Sequence, residues 1–115
     1  MKNLLKILLV LGILLTGSLS LNAKEIYLSQ QTTKDYSVHV KVYDDLKLGD
    51  NEFNVKILYK TKSLDGVNVN LKLYKPNGEI VEYKSNTIND KRNYTFDVKL
   101  IEKGQYKYLI TYNVM

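Results

Sequence analysis
From Tyr36 to Tyr112 the chain is a succession of short stretches in which apolar and polar residues alternate. The clearest pair lies in the middle. Phe53, Val55, Ile57 and Tyr59 alternate with Asn54, Lys56, Leu58 and Lys60; further on, Val67, Val69, Leu71 and Leu73 alternate with Asn68, Asn70, Lys72 and Tyr74. Successive side chains of a strand point to opposite faces, so a period of two predicts strands with one face in a core and the other in water. Tyr36, Val38, Val40 and Val42 follow the same plan earlier in the chain, set between Ser37, His39, Lys41 and Tyr43. Later come Tyr94, Phe96, Val98 and Leu100, then Tyr106, Tyr108, Ile110 and Tyr112.

Turn chemistry punctuates these rows. Asp44-Asp45, Asp50-Asn51, Asp65-Gly66 and Glu102-Lys103-Gly104 fall between or before them. Lys75-Pro76-Asn77-Gly78-Glu79 is the sharpest turn: proline presets its own φ and Asn-Gly tolerates positive φ, which predicts a hairpin. Ile80–Lys84 is then a brief, charged strand suited to a sheet edge. Ile26–Ser29 reads as a short first strand, followed by a polar connector over Gln30–Asp35. Ser85–Arg92 is the longest polar stretch and the segment best suited to mobility or contact. About seven strands at regular spacing, with no helical stretch after residue 23, predict an all-β, antiparallel β-sandwich.

The first 23 residues break the pattern. Lys2 and Lys6 flank a basic start, Ile7–Leu15 is apolar with Gly12 the one interruption among aliphatics, and Thr16-Gly17-Ser18 is small and polar. A basic start, an apolar run of roughly 7–15 residues and a small residue at the cut describe a secretory signal peptide, helical in its apolar run. Cleavage is expected between Ala23 and Lys24, leaving residues 24–115 as one domain. The alternative is an uncleaved membrane anchor, but a spanning helix needs about 20 apolar residues. Export places the protein in the periplasm, with no membrane span after cleavage.

Composition narrows the chemistry. The chain has no cysteine, so neither a disulfide framework nor a lipid-attachment cysteine is present, and an exported domain must stand on its apolar core. Losing Lys2 and Lys6 lowers the net charge from +5 to +3, a balance that aids solubility and specifies no partner. Ten tyrosines, two phenylalanines and no tryptophan make tyrosine the main aromatic of core and rim. Tyr43 and Tyr74 fall in the outward registers.

His39 is the single histidine, and its place between valines puts it on a wet strand face, so no serine or cysteine triad and no catalytic residue is assigned. For copper or zinc the mature chain offers only His39 and Met115 among His, Cys and Met, so no metal-site residue and no cofactor is assigned. Asp44, Asp45, Asp50 and Glu52 lack the spacing of a calcium-binding EF-hand loop. Lys41, Lys56, Lys60, Lys72, Lys99 and Lys107 are spread over outward positions rather than clustered with stacking aromatics, which argues against nucleic acid and fits protection of sheet edges.

The order of turns and strands resembles the FixH/YtkA-like group of small exported or membrane-anchored bacterial proteins. Leu48-Gly49-Asp50-Asn51-Glu52-Phe53 and Leu64-Asp65-Gly66-Val67-Asn68-Val69 each open a strand, and Pro76 ends one. Asn93-Tyr94-Thr95-Phe96 and Lys103-Gly104-Gln105-Tyr106 lead the last two. The likeness spans roughly residues 36–113 and rests on turn glycines and core alternation. It implies an immunoglobulin-like sandwich outside the cytoplasm, associated with copper delivery or with metal and drug efflux. Many members carry a Met- and His-containing segment after the strand-ending proline, whereas Pro76 is followed by Asn-Gly-Glu-Ile-Val-Glu. The reading is a non-enzymatic periplasmic accessory module that binds an envelope or membrane protein. A small-ligand or metal carrier is the alternative; the sequence leaves the binding residues and oligomeric state open.

Overall fold
The computed structural model describes residues 3–5, 11–15, 24–43 and 46–114. Its strands are β1 (Asn3–Leu5), β2 (Leu11–Leu15), β3 (Glu25–Thr33), β4 (Tyr36–Tyr43), β5 (Gly49–Tyr59), β6 (Lys62–Ser63), β7 (Asn68–Tyr74), β8 (Ile80–Ser85), β9 (Tyr94–Leu100) and β10 (Gly104–Val114). The chain is all-β, and every strand pair is antiparallel. One sheet runs β10-β7-β8, with β1 and β2 on the outer side of β10. The other runs β3-β4-β5, and the far edge of β5 is shared between β9 and β6.

The two sheets bury one core between them. Val38, Val40 and Val42 from β4, Phe53, Val55 and Ile57 from β5, and Tyr94, Phe96, Val98 and Leu100 from β9 form one side. Val69, Leu71 and Leu73 from β7, with Tyr106, Tyr108, Ile110 and Tyr112 from β10, form the other. These are the inward rows that alternation predicts. Aromatic rings join the layers: Phe53 meets Tyr108 edge-on with centroids 6.4 Å apart, and Tyr36 lies 6.2 Å from Tyr112.

The β7–β8 hairpin forms where Pro76-Asn77-Gly78 places it. Gly78 N–H donates to the Lys75 carbonyl (3.0 Å), Lys75 N–H donates to Glu79 (2.8 Å), and Gly78 takes φ +92°. β8 is an edge strand, as its brevity and charge suggest.

Several expectations are corrected. The connector over Gln30–Asp35 is mostly strand: β3 continues to Thr33 and turns through Lys34 and Asp35 into β4, with Lys34 at φ +54°. Cross-strand pairing to β4 holds these polar residues extended. Tyr59 is not a core residue but 39% exposed, because it ends β5 and stacks on Tyr36 at the rim, 5.0 Å between centroids.

The helix expected in the N-terminal segment is absent from the described part of it: Leu11–Leu15 pairs with Gly104–Tyr108, and Asn3–Leu5 with Tyr112–Val114. A short aliphatic run is ambiguous between helix and strand by periodicity alone, and here the open edge of β10 supplies backbone partners that a strand can use. Ala23, Asp44, Asp45 and Met115 lie outside the described residues. Lys24 is exposed immediately before β3. Among the described residues no helix is long and apolar enough to cross a membrane.

Candidate functional site
β7, β8 and β10 turn their even-numbered or odd-numbered polar residues to the outside of their sheet, and strand register brings these residues side by side. Asn68 stands directly opposite Asn113, while Asn70 stands between Thr111 on one neighbour and Lys84 on the other. Together with Ser85 and Asn86, at the root of the Ser85–Arg92 stretch, they line a groove of about 540 Å³. Amides and hydroxyls both donate and accept hydrogen bonds, so these groups can match a partner's backbone or polar side chains; Lys84 is the one cation among the described lining residues. Asn70 donates from Nδ2 to Glu82 Oε2 (3.1 Å), whereas its Oδ1 is buried with no partner among the described residues. A buried acceptor without a partner is costly.

The Ser85–Arg92 stretch beside the groove is held by Asn89. Its Oδ1 accepts the N–H groups of Lys91 (3.0 Å) and Asn93 (2.9 Å), and its Nδ2 donates to Thr95 Oγ1 (3.2 Å). Ile88 packs on the core. The loop thus carries a built turn, with Arg92 at φ +63° reaching back to the Ser63 carbonyl (3.3 Å).

His39 sits on the outer face of the opposite sheet, in a recess of about 170 Å³ lined also by Tyr27, Lys41, Asn54, Lys56, Leu58 and Asn93. Tyr27 meets its ring edge-on at 5.7 Å, and the Lys41 ammonium lies 4.7 Å from the Tyr27 centroid. Partial burial lowers the His39 pKa from its ordinary value, and the nearby Lys41 and Lys56 charges lower it further. Both lysines would also repel a bound cation. Among the described residues no three His, Cys, Asp or Glu side chains converge to hold a metal ion. Asp50 and Glu52 lie on β5, and Glu52 instead accepts from Asn54 (2.9 Å), as does Glu25 (3.0 Å). Asn54 Oδ1 in turn accepts from Thr95 (2.8 Å). Asn54, the buried polar residue of this face, is therefore satisfied and structural.

Of the two outward tyrosines, Tyr43 is 39% exposed at the end of β4, and Tyr74 is half-buried beside Ile80 and Lys107 in register. Neither lines the groove. The groove residues were visible in the sequence only as outward polar positions; their adjacency depends on cross-strand register. No protein-family model, curated protein or solved structure matches the chain.

Proposed function
We propose that the protein is an exported, non-enzymatic accessory module of the periplasm that binds a polar segment of an envelope protein. The observation that carries this reading is the groove lined by the amides and hydroxyls of Asn68, Asn70, Thr111 and Asn113. Pockets that hold small ligands draw their affinity mainly from apolar and aromatic walls with a few polar contacts. Here amides and hydroxyls share the wall with Val69 and Tyr112, a mixed surface that suits a hydrated loop or extended chain. The FixH/YtkA-like resemblance agrees with an immunoglobulin-like accessory protein of a metal- or drug-handling assembly.

Site-specific photo-crosslinking in the native envelope tests the proposal. A crosslinker at Thr111 or Asn113 should give a discrete protein adduct, and one at Asp97, on the other sheet, should not. Equal labelling from both faces would remove the groove from the reading. Titration with Cu(I) against a competing chelator addresses the carrier alternative: no one-to-one site is expected, and a site abolished by His39→Ala would install the carrier in its place.

A further inference from the structure
The sandwich has unequal layers once residues 1–23 are set aside. β3, β4, β5 and β9, with the two-residue β6 sharing the far side of β5, stand on one side, against β10, β7 and β8 on the other. β10 lies over the β3 side of the opposite sheet, since Tyr108 and Ser29 hydroxyls share a hydrogen bond of 2.7 Å. Without residues 1–23 the outer side of β10 is an open sheet edge.

The edges differ in how they are guarded. Sheet edges are protected by bulges, charges and brevity, because unpaired N–H and C=O groups otherwise recruit another strand. β3 carries a register shift between Tyr27 and Ser29. β8 is six residues long and carries Glu82 and Lys84; β9 exposes Asp97 and Lys99. β10 is eleven residues long, pairs with β7 without a register break, and has Lys107 as its one charge. In the full chain β1 and β2 occupy this edge. It accepts an antiparallel strand.

We propose that removal of the N-terminal segment frees the β10 edge for a second copy of this chain, joining two sandwiches by antiparallel β10–β10 pairing. The proposal rests on the export reading for the loss of residues 1–23. One register pairs the whole strand, Gly104 with Val114, and sets its two-fold axis at Leu109. In that register Tyr106 opposes Tyr112 and Tyr108 opposes Ile110, so core-face residues meet core-face residues. Lys107 opposes Thr111, so no like charges meet. Shifting the axis to Lys107 would oppose the two lysines and shorten the pairing. While the N-terminal segment occupies the edge it acts as a cap, and the precursor cannot pair in this way.

Among the residues whose burial is described, the core cluster runs from β3 to β10, and a chain of residues 24–115 retains all of these. Light scattering on that chain across a concentration series should show a dimer, and the full chain a monomer. Leu109 is half-buried on the outer face, and Leu109→Lys or Leu109→Glu should each raise the dimer dissociation constant about tenfold or more. An equimolar mixture of the two variants should restore it to within about threefold of the parent. A monomer at all concentrations, unaltered dimers in both variants, or no rescue on mixing would overturn the proposal. So would failure of the shortened chain to fold by circular dichroism, since β1 and β2 would then be permanent strands. A monomer that binds a peptide of residues 3–15 would assign the edge to the chain's own N-terminal segment alone and overturn self-pairing. Because recombinant chains are used, none of these outcomes depends on the groove or on processing in the cell.

Discussion

The Tyr94 hydroxyl closes the crossing between the two sheets by accepting the buried N–H of Val67 at 3.0 Å. The same hydroxyl donates to the Leu64 carbonyl at 2.7 Å. Leu64 and Val67 bracket Asp65-Gly66, where the chain leaves β6 for β7 in the other layer. One side chain from β9 thus satisfies two backbone groups in the connection. Tyr106 repeats the device locally, accepting from Glu102 N–H (3.2 Å) and donating to the Glu102 carbonyl.

Tyr94→Phe keeps the ring but leaves both backbone groups without their partner. A buried donor without a partner costs about 1–3 kcal/mol. Urea melts should show that loss with an unchanged m-value, whereas Tyr43→Phe, at an exposed site, should change stability by no more than about 0.5 kcal/mol.

Leu71 is fully buried at the centre of β7, and Lys72 faces out beside it. Leu71→Ala should cost about 2–5 kcal/mol through lost burial and a residual cavity. Lys72→Ala should stay within about 0.5 kcal/mol. Equal costs in urea would contradict the observed register.

Gly104 opens β10 at φ +144°, and a Cβ built there would lie 2.8 Å from Pro76 Cγ. Gly104→Ala should therefore lose about 1–3 kcal/mol from backbone strain together with the clash. Pro76→Ala in the same chain should return part of the loss, because it removes Cγ but leaves φ as it is. A double-mutant cycle in thermal or urea melts measures that coupling; strict additivity would mean that Pro76 takes no part.

Alkaline pH should weaken the fold through its tyrosines. Burial raises the pKa values of Tyr94, Tyr108 and Tyr112 above the ordinary 10.0, with the Ser29 hydrogen bond partly opposing the shift at Tyr108. A group with a raised folded pKa contributes stability that is fully present below its unfolded value. That stability is lost as pH rises from about 10 through the raised folded values. Ultraviolet titration of phenolate should show a late, cooperative class of tyrosines that ionise with unfolding. Simple titration of all ten near pH 10 would contradict the burial.

Alternation revealed the core rows almost residue by residue, from Val38, Val40 and Val42 to Tyr106, Tyr108 and Ile110, because a period of two reports the face directly. It does not report the sheet. Phe53–Tyr59 and Val67–Leu73 look like one central pair along the chain, yet they lie in opposite layers. The strand over Gln30–Thr33 leaves no trace in alternation because all four residues are polar, and Tyr59 reads as core because alternation cannot tell where a strand outruns the partner layer. Asn68, Asn70 and Asn113 carried no signal of a shared groove, since their proximity arises from pairing between β7 and β10.

The placing of β10 bears on when the chain can fold at all. This strand supplies Tyr106, Tyr108, Ile110 and Tyr112 to the core and joins β7, whose residues lie some thirty to forty-five positions earlier. Contacts of such long sequence separation form slowly, since distant segments must meet before burial compensates their ordering. A nascent chain that has not yet delivered Gly104–Val114 leaves the β7 edge unpaired and the core without these four side chains. The complete core therefore assembles only once nearly all of the chain has been made.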